Sequence, residues 1–594
     1  MKMKKFDRMK PNMKISDGMK RIYIAMSSVL ALMLASCASM DITPKSQGNS
    51  ESWYSTELEL KMAANEFYIL GYWNKPFEDA EQWTDNFTYR NTNRHPDMGA
   101  LLDGNIDGTS GYAYTMWQQC YKLVSRANSM IYNSHRAIAN GVSPDIVKRY
   151  VAEAYFCRAC KYSELISYYG DVPYMDGLLT ISEAEAMGRM PKAELIPLVY
   201  ADFDKAIEGL PVDYGNEAVH ATKGAAYAMK ARFALYMGDW ETARDAAKAC
   251  MDLNVYELAQ DYSEIFLQNT KMIPEKIFVI PRSRAAEVFL DVWFFNNDLP
   301  RVAGGYAADN PSWDLLACYL CTDGKPIDES ELFDPRNPFK NRDPRCTKTI
   351  VEFGTRHVGY DYNPRMDVLS VMNYNTGSMV NNVDNRANPT NAASAQYASY
   401  NGLVWKKGID DSWMDCAKEV ETDYIIMRYA DVLLMYAEAK IELGEIDDDC
   451  IGAINMVRER AYNGAPVACP AVAKADQETM RRTVRLERRV ELAKENLRYM
   501  DLIRWGLYKK ALNRYNYINL EPQKCLEDIV QKDLWFWAET PDVDEDGLAD
   551  FSGMFSRGYC SVGAERVFPD RQVLWPIPTH DRLLCPNLSQ NEGY

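Results

Sequence analysis

Cys37 carries the most definite chemistry in the sequence, because of the residues before it. The positive pair Lys20-Arg21 is followed by the apolar stretch 22–35 and by Ser36. This order defines a secretory signal, and a cysteine directly after the cleavage site is the lipid acceptor of bacterial lipoproteins. We therefore predict a signal peptide over residues 1–36 and acylation of Cys37, for example with palmitate. An ordinary secretory signal with an incidental cysteine is the alternative.

A second chemical pattern lies near the end of the chain. Carboxylates stand at positions 1, 3, 5 and 9 of a nine-residue run, with a glycine at position 6, which is the spacing of a calcium-binding loop. Position 12 is Gly553 rather than the usual glutamate. We therefore expect either a structural calcium site or a solvated acidic turn. The predicted ligands are Asp542, Asp544, Asp546, Leu548 and Asp550.

Aromatic and polar side chains alternate in three stretches, residues 72–74, 83–90 and 291–298. The C–H faces of a sugar ring stack on aromatic rings, while its hydroxyls need amide, carboxylate or guanidinium partners. Such groups bind best from loops that a rigid scaffold holds in place. The stretches are therefore candidate sugar contacts, and core packing of the same rings is the alternative.

Most catalytic chemistries lack their sequence patterns here. The chain has no G-x-S-x-G, H-E-x-x-H or P-loop pattern and only five histidines. A glycosidase that uses two carboxylates leaves no local pattern, so it stays open. The pairs Cys157/Cys160 and Cys318/Cys321 could suggest zinc, but buried thiols are the commoner reason for such spacing. The net charge of −17 argues against nucleic acid.

The elements that must position these residues are mainly helical. Apolar periodicity predicts helices over residues 55–70, 114–137, 144–169, 191–210, 222–237, 240–253 and 426–444. The pair 222–253, with small alanines and a Gly238-Asp239 turn, has the period of a tetratricopeptide repeat. A second pair starts near Ile426. We predict a mainly α fold, a scaffold of tetratricopeptide-type helical pairs with a few short strands, and an ordinary helical bundle is the alternative.

Irregular segments interrupt this scaffold. Long loops are predicted over 72–110, 367–400 and 510–570, and a short strand over 276–281. The predicted parts are a tether over 37–56, an N-terminal helical part over 57–269, a loop-rich insert over 270–423, C-terminal repeat helices over 424–509 and an irregular end over 510–594.

Several blocks of sequence then appear in a characteristic order. They are Trp117, Tyr121, Val124, Ala127 and Asn128; EAYFCRA over 153–159 and YYGDVP over 168–173; DGKPI over 323–327 and RDPR over 342–345; RYADVLLMYAEA over 428–439; residues 485–504; PIP over 576–578; and the final NEGY. Together they resemble the SusD/RagB family of outer-membrane nutrient-binding lipoproteins of Bacteroidetes. Arg428, Asp431, Glu438 and Arg504 within these blocks are expected to form buried ion pairs that lock helices.

The resemblance implies a non-catalytic receptor on the outer membrane. Such proteins capture oligosaccharides and deliver them to a SusC-like TonB-dependent transporter, and RagB-type members handle peptides instead. The run after Cys37 holds only one acidic residue, Asp41, which leaves the face of the membrane open; we favour the exterior. A peptide receptor and, further off, a lipid-anchored glycosidase are the alternatives.

The first two stretches lie in one loop region, 72–90, and the resemblance also places the glycan contacts in loops of about this region and of the region 291–298. The predicted ligand-binding residues are Trp73, Trp83, Asp85, Asn86, Tyr89, Trp293 and Asn296.

Overall fold

The computed structural model describes residues 52–74, 76–89, 96–215, 220–391 and 395–594. The predicted signal peptide, Cys37 and most of the tether lie outside these residues. Tyr54–Tyr594 form one compact unit. No helix in the described ranges combines the length and the apolar character that a membrane span requires.

Twenty helices account for most of the regular structure in the described residues. In chain order they are α1 Glu57–Glu66, α2 Pro96–Leu102, α3 Gly111–Asn133, α4 His135–Ala139, α5 Pro144–Tyr169, α6 Ile181–Glu185, α7 Lys192–Gly209, α8 Lys223–Met237, α9 Trp240–Met251, α10 Val292–Asp298, α11 Trp313–Cys318, α12 Arg345–Thr349, α13 Tyr429–Glu442, α14 Asp448–Ala461, α15 Gln477–Glu491, α16 Arg498–Arg504, α17 Tyr508–Leu512, α18 Pro522–Lys524, α19 Ser552–Ser556 and α20 Thr579–Leu584.

The long helices stack side by side. Helix α3 packs on α5, α5 on α7, α7 on α8, α8 on α9 and α9 on α13, which also contacts α14 and α15. Helix α5 begins with Pro144 in its first turn and ends at Gly170, whose φ of 74° stops the helix. The predicted fold class is therefore confirmed, because each pair buries its apolar face against the next pair.

The turn between α8 and α9 shows how the sequence builds one such pair. Gly238 has a φ of 74°, a left-handed conformation that glycine adopts without strain, and Asp239 caps α9 by accepting a hydrogen bond from Thr242 N. Four fully buried alanines of α8 let neighbouring helices approach closely, and they are Ala225, Ala228, Ala231 and Ala234. Helix α9 then packs directly on α13, so both predicted pairs belong to one stack.

The strands are short and pair antiparallel. They are β1 Phe87–Tyr89, β2 Lys276–Ile280, β3 Asp309–Pro311, β4 Thr355–His357, β5 Tyr360–Tyr362, β6 Ser370–Asn373, β7 Ser378–Asn381, β8 Tyr424–Arg428, β9 Tyr515–Asn519, β10 Asp542–Val543, β11 Ala549–Asp550 and β12 Cys560–Glu565. The pairs are β1–β3, β2–β8, β9–β12 and β10–β11, and β4 to β7 form one sheet.

Strand β2 confirms the strand predicted at 276–281, and its partner β8 leads directly into α13. The β2–β8 pair therefore holds the two ends of the intervening segment together. The prediction of continuous loops was wrong in three places, because 72–110 contains β1 and α2, 367–400 contains the β6–β7 hairpin, and 510–570 contains β9 to β12. These elements are short, and the partner of β1 is more than 200 residues away, whereas β6–β7 and β10–β11 are local hairpins.

Buried ion pairs join the helices, as predicted. Arg428 donates to Glu275 at 2.8 Å and to Glu491 at 2.7 Å, and Asp431 accepts from Arg488 at 2.7 Å. Glu438 pairs with Arg504 at 2.5 Å. These side chains are almost fully buried, so each charge needs the partner it has.

Candidate ligand-binding site

Trp73 and Trp83, two of the predicted sugar contacts, are core residues in this structure. Trp73 is 2% exposed and its Nε1 donates to Phe67 O at 2.8 Å. Trp83 is 1% exposed and packs 5.2 Å from Trp575 and 5.4 Å from Tyr499, measured between ring centroids. A ring without an exposed face cannot stack on a sugar, so we do not retain either tryptophan as a ligand contact.

Asp85 and Asn86 are also buried, but their partners are charged and polar side chains rather than aromatic rings. Asp85 accepts from Arg498 at 2.8 and 3.0 Å and pairs with Arg489 at 3.0 Å. Burial alone would raise the pKa of Asp85, but the two guanidinium groups outweigh it and hold this pKa well below its usual range. Asn86 donates to Glu81 at 2.8 Å and accepts from Arg489 at 2.9 Å. Both side chains hold the loop to α15 and α16.

Three predicted contacts remain. Tyr89 is 8% exposed within β1, so it too is a buried ring. Asn296 is half-buried on α10, where its Oδ1 accepts from Lys418 Nζ at 3.4 Å. The backbone of Trp293 lies in the same helix, but its side chain lies outside the described part of the structure. Asn296 and Trp293 therefore stay predictions, and Tyr89 is not retained.

The structure nevertheless brings the two predicted regions together. Strand β1 pairs with β3, and Gln82 Nε2 donates to Asp309 Oδ2 at 3.3 Å. Gln82 and Phe87 from the first region and Phe294 and Asp298 from the second line one cavity of about 170 Å³, which we call the inner cavity. Its aromatic lining comprises Phe87, Phe266, Phe294, Trp405, Trp413 and Tyr424.

Six carboxylates and three cationic groups line the inner cavity, and three of the carboxylates pair with those cations. Lys494 Nζ lies 2.6 Å from Asp298 Oδ2, and Lys407 Nζ lies 2.6 Å from Glu495 Oε1. Burial raises the pKa of Asp298 and lowers the pKa of Lys407 to about 8. The cavity wall therefore offers hydrogen-bond donors and acceptors, and it carries more carboxylates than cations.

Partly exposed aromatic rings lie on α10 and in segments next to it in the chain or in contact with it. We define the aromatic rim as the rings of Phe289, Phe294, Tyr306 and Tyr397 together with the neighbouring amide of Asn296. Phe289 is 37% exposed, and the Tyr306 and Tyr397 rings lie 5.6 Å apart. Tyr306 N donates to the Asn296 carbonyl oxygen at 2.6 Å, which ties Tyr306 to α10.

Tyr306 and Tyr397 were not predicted as ligand residues. Tyr306 follows α10 by eight residues, and the fold brings Tyr397 to Tyr306 from a distant segment. The sequence feature that could have indicated them is their position in segments rich in Gly, Ala and Asn. Such segments have few large side chains that could bury an aromatic ring locally.

The acidic loop 542–550 forms a tight hairpin rather than an open cage. Asp544 Oδ1 accepts from the backbone N–H of Asp546 at 2.9 Å and of Leu548 at 3.0 Å. Lys510 Nζ lies 3.0 Å from Asp544 Oδ2 and also contacts Glu545 and Asp546. In this arrangement the carboxylates do not fit a calcium ion, because an ammonium group already lies between them. Of the two alternatives predicted for this loop, the arrangement favours the acidic turn over the calcium site.

Comparison with known families agrees with the fold and the sequence blocks. The profile of the SusD family matches residues 284–594, more than half of the chain. A second profile, described as starch-binding associating with outer membrane, matches residues 16–235. The chain belongs to the SusD family.

Two named relatives have comparable lengths. SusD-like protein P2 of Formosa agariphila is 26% identical over 526 residues, which cover 83% of this chain and 92% of that protein. A SusD-like protein of Bacteroides ovatus is 24% identical over 442 residues, covering 70% of this chain and 68% of that protein.

Solved structures share the fold. A SusD-like carbohydrate-binding protein of Bacteroides fragilis superposes with a TM-score of 0.74 at 25% identity, over 91% of this chain and 100% of that one. A laminarin-binding SusD-like protein superposes with a TM-score of 0.61 at 17% identity, over 91% of this chain and 100% of that one. At the lower identity the likeness concerns the fold alone.

Proposed function

We propose that this protein is a non-catalytic lipoprotein of the outer-membrane surface, anchored through Cys37. It binds oligosaccharides and polysaccharide fragments and delivers them to a SusC-like TonB-dependent transporter for import. The observation that carries the proposal is the meeting of the two predicted loop regions at the inner cavity and the aromatic rim. Carbohydrate-binding relatives with the same fold support it.

The chemistry of this region suits a sugar. Half-buried rings at Phe294, Tyr306 and Tyr397 offer apolar faces, and Asn296 and Gln82 offer amides that both donate and accept. A rigid helical stack holds these groups, so little conformational entropy is lost when ligand binds.

The same region argues against catalysis. A glycosidase needs one carboxylic acid that can give up its proton and a second carboxylate beside it. In the inner cavity Asp298 pairs with Lys494, Glu495 with Lys407, and Glu78 with Arg282. Carboxylates engaged in such ion pairs hold the fold and are not placed as a free proton donor beside a second carboxylate.

Affinity electrophoresis tests binding. The mature chain with Cys37→Ser is run through gels that contain amylopectin, laminarin, xylan, galactan or pectin, and retention by at least one of them is expected. Retention by none would contradict the proposal, and degradation products in the gel would identify an enzyme.

Matched variants test the place of binding. Tyr397→Ala on the aromatic rim should reduce retention while the melting temperature stays close to that of the wild type. Trp83→Ala in the core should lower the free energy of unfolding by about 3–5 kcal/mol, because it leaves a large cavity. Equal retention by the wild type and Tyr397→Ala would remove the rim from the site.

Delivery needs a separate experiment, because binding alone does not show a partner. An affinity-tagged chain with an intact Cys37 is purified from detergent-solubilised outer membranes of its native host. We expect a TonB-dependent transporter of the SusC type to co-purify. Isolation of the chain alone under mild detergent would contradict the delivery part and leave glycan binding intact.

A further inference from the structure

A second cavity lies in a groove beside α3, and its lining residues differ from those of the inner cavity. Its volume is about 460 Å³, which is within the range of small-molecule sites. One wall is a stripe of α3, where residues 117, 118, 121, 122, 125 and 126 repeat at helical spacing. The other wall comes from parts of the segments 173–187 and 581–588, and Tyr72 completes the lining. We call this space the α3 groove.

The walls of the α3 groove are mainly apolar. The apolar contributors are Trp117, Tyr121, Pro173, Met175, Met187 and Leu588. The Tyr121 hydroxyl donates to Pro173 O at 2.8 Å, so its proton is already used within the protein. Met175 and Met187 are half-buried, and their flexible thioether side chains adapt to ligands of different shape. The groove therefore offers a ligand much apolar contact and few hydrogen bonds.

This lining favours an alkyl chain over a sugar or an extended peptide. Hydroxyl and peptide groups lose their hydrogen bonds to water on such a surface, and the walls restore few of them. An alkyl chain has no such groups to desolvate, and each methylene that it buries adds to its affinity. The segments of the second wall also carry exposed aliphatic side chains, at Leu178, Leu179, Ile181, Leu583 and Leu584. Apolar surface that stays exposed beside a groove is typical of an interaction site.

The charged groups at the edge of the α3 groove select the polar end of such a ligand. Lys122 and Arg126 stand four residues apart on α3, and both side chains are exposed. Arg126 pairs with Glu66 at 2.7 Å, whereas Lys122 has no carboxylate partner among the described residues and donates to Gln118 Oε1 at 3.0 Å. Asp581 is the single carboxylate of the lining; it is half-buried, and burial raises the pKa of Asp581. The groove therefore has cations at its exposed edge, where an anionic head group would lie.

The charge of the whole chain decides between a free ligand and a membrane lipid. With a net charge of −17, the protein is repelled by an anionic bilayer surface. One free carboxylate, in contrast, needs only the local cations Lys122 and Arg126. A free single-chain molecule therefore fits these observations better than a lipid that stays in its bilayer.

We propose that the α3 groove binds a free, single-chain anionic amphiphile of the fatty-acid type. Its alkyl chain lies along Trp117 and Tyr121 between the two walls, and its carboxylate lies near Lys122. This site is separate from the inner cavity and the aromatic rim, and it goes beyond the proposed glycan binding.

Calorimetry with a series of chain lengths tests the alkyl part of the ligand. The mature Cys37→Ser chain is titrated with octanoate, decanoate and dodecanoate, each below its critical micelle concentration. The affinity should rise by up to about fourfold for each additional methylene that the groove buries. Equal affinities for the three chain lengths, or no detectable binding, overturn the inference.

Dodecyltrimethylammonium, which has the same chain length and the opposite charge, tests the head group. The wild type should bind dodecanoate about two- to fivefold more tightly, the usual range for exposed ion pairs. Lys122→Gln should remove this preference, and Lys340→Gln, which changes an exposed lysine outside the groove lining, should keep it. Equal binding of both probes by the wild type overturns the anionic class.

Met187→Glu tests the location of the site. It places a carboxylate among the apolar side chains of the groove, so dodecanoate binding should fall by at least about tenfold. Met456→Glu is the matched control, because Met456 is 45% exposed on α14 and lies outside the lining; it should bind as the wild type does. Wild-type affinity in a folded Met187→Glu protein overturns the location. If Met187→Glu does not fold, Ala184→Glu on the same wall decides.

Two further measurements separate this site from a membrane contact and from the glycan site. Vesicles that contain phosphatidylglycerol should not sediment the mature Cys37→Ser chain, and sedimentation that Met187→Glu abolishes would overturn the free ligand in favour of a membrane lipid. Polysaccharide gels should retain the wild type and Met187→Glu equally, and a loss of retention at an unchanged melting temperature would overturn the separation of the two sites. Dodecanoate binding without retention by any polysaccharide would support the groove and contradict the proposed glycan binding alone.

Discussion

At the scale of single residues, the central lesson is that residue type indicates chemistry but not exposure. Asp85 has the type and the neighbours of a sugar ligand, yet it is 2% exposed and bound by two arginines. The arginines stand about 400 positions later in the chain, in α15 and α16. A local pattern cannot contain such partners, so the sequence could not show whether Asp85 is a sugar ligand or a buried ion-pair partner.

Asp85 leads to a prediction about stability and pH. Asp85→Asn should lower the free energy of unfolding by about 3–5 kcal/mol at pH 7, because it leaves Arg489 and Arg498 buried without their partner. The folded-state pKa of Asp85 is depressed, so its contribution is complete above the unfolded pKa of ~3.9 and is lost as the pH falls below that value. Urea unfolding of both proteins between pH 7 and pH 3 measures it.

The control for this experiment is Asp415→Asn, since Asp415 is exposed. It should stay within about 0.5 kcal/mol of the wild type. A difference between wild type and Asp85→Asn that does not shrink towards pH 3 would mean that packing, rather than charge, is lost.

At the scale of elements, helix packing depends on small residues at particular contacts. Gly224 lies in the first turn of α8, and a Cβ at this position would be 2.1 Å from Tyr256 Oη. Tyr256 in turn contacts Thr222, which caps the helix, with 3.0 Å between the two hydroxyl oxygens. Gly452 lies in α14, where a Cβ would meet nothing within 4 Å.

This pair of glycines gives a matched prediction. Gly224→Ala should lower the free energy of unfolding by about 1–3 kcal/mol, because Tyr256 must move. Gly452→Ala should raise it by up to about 1 kcal/mol, because alanine favours the helix. Chemical denaturation of both variants measures the difference, and equal effects would contradict the packing described for α8.

The response of the loop 542–550 to calcium can be tested. Lys510 places its ammonium among Asp544, Glu545 and Asp546, and these carboxylates raise the pKa of Lys510. We expect Ca²⁺ to leave the melting temperature of the wild type unchanged and to raise that of Lys510→Met, where the positive charge is missing. Asp544→Ala in the same background should abolish the response. Calorimetric binding of Ca²⁺ by the wild type would instead support the calcium loop.

At the scale of the whole molecule, the proposed function depends on both the stack of helices and the predicted lipid anchor. One compact unit from Tyr54 to Tyr594 carries the aromatic rim and the inner cavity. In the proposed function Cys37 holds this unit beside a transporter, so captured glycan stays at the membrane rather than diffusing away.

The anchor is tested by fractionation of cells that express the full chain. Cys37→Ala should move the protein from the membrane fraction to the soluble fraction, because acyl chains provide the attachment. Cys585→Ala, which changes a half-buried thiol near the other end, should leave it in the membrane fraction. A Cys37→Ala protein that stays with the membrane would contradict lipid anchoring.

Much of the scaffold could be predicted from the sequence. The helix predicted at 144–169 is α5 to the residue, the turn at Gly238-Asp239 joins α8 and α9, and Arg428 and Asp431 form the expected buried ion pairs. These features follow from local periodicity, from caps and from the rule that buried charges are paired.

The candidate site could be predicted only as two regions. Trp83 and Tyr397 are both aromatic residues in segments predicted to be irregular, and the sequence around them does not indicate which one is exposed. Tertiary packing decides that Trp83 is enclosed by Tyr499 and Trp575 while Tyr397 stays half-buried at the aromatic rim. The reason is physical: a helix or a turn is determined by neighbours along the chain, whereas the exposure of a side chain depends on every segment that folds against it.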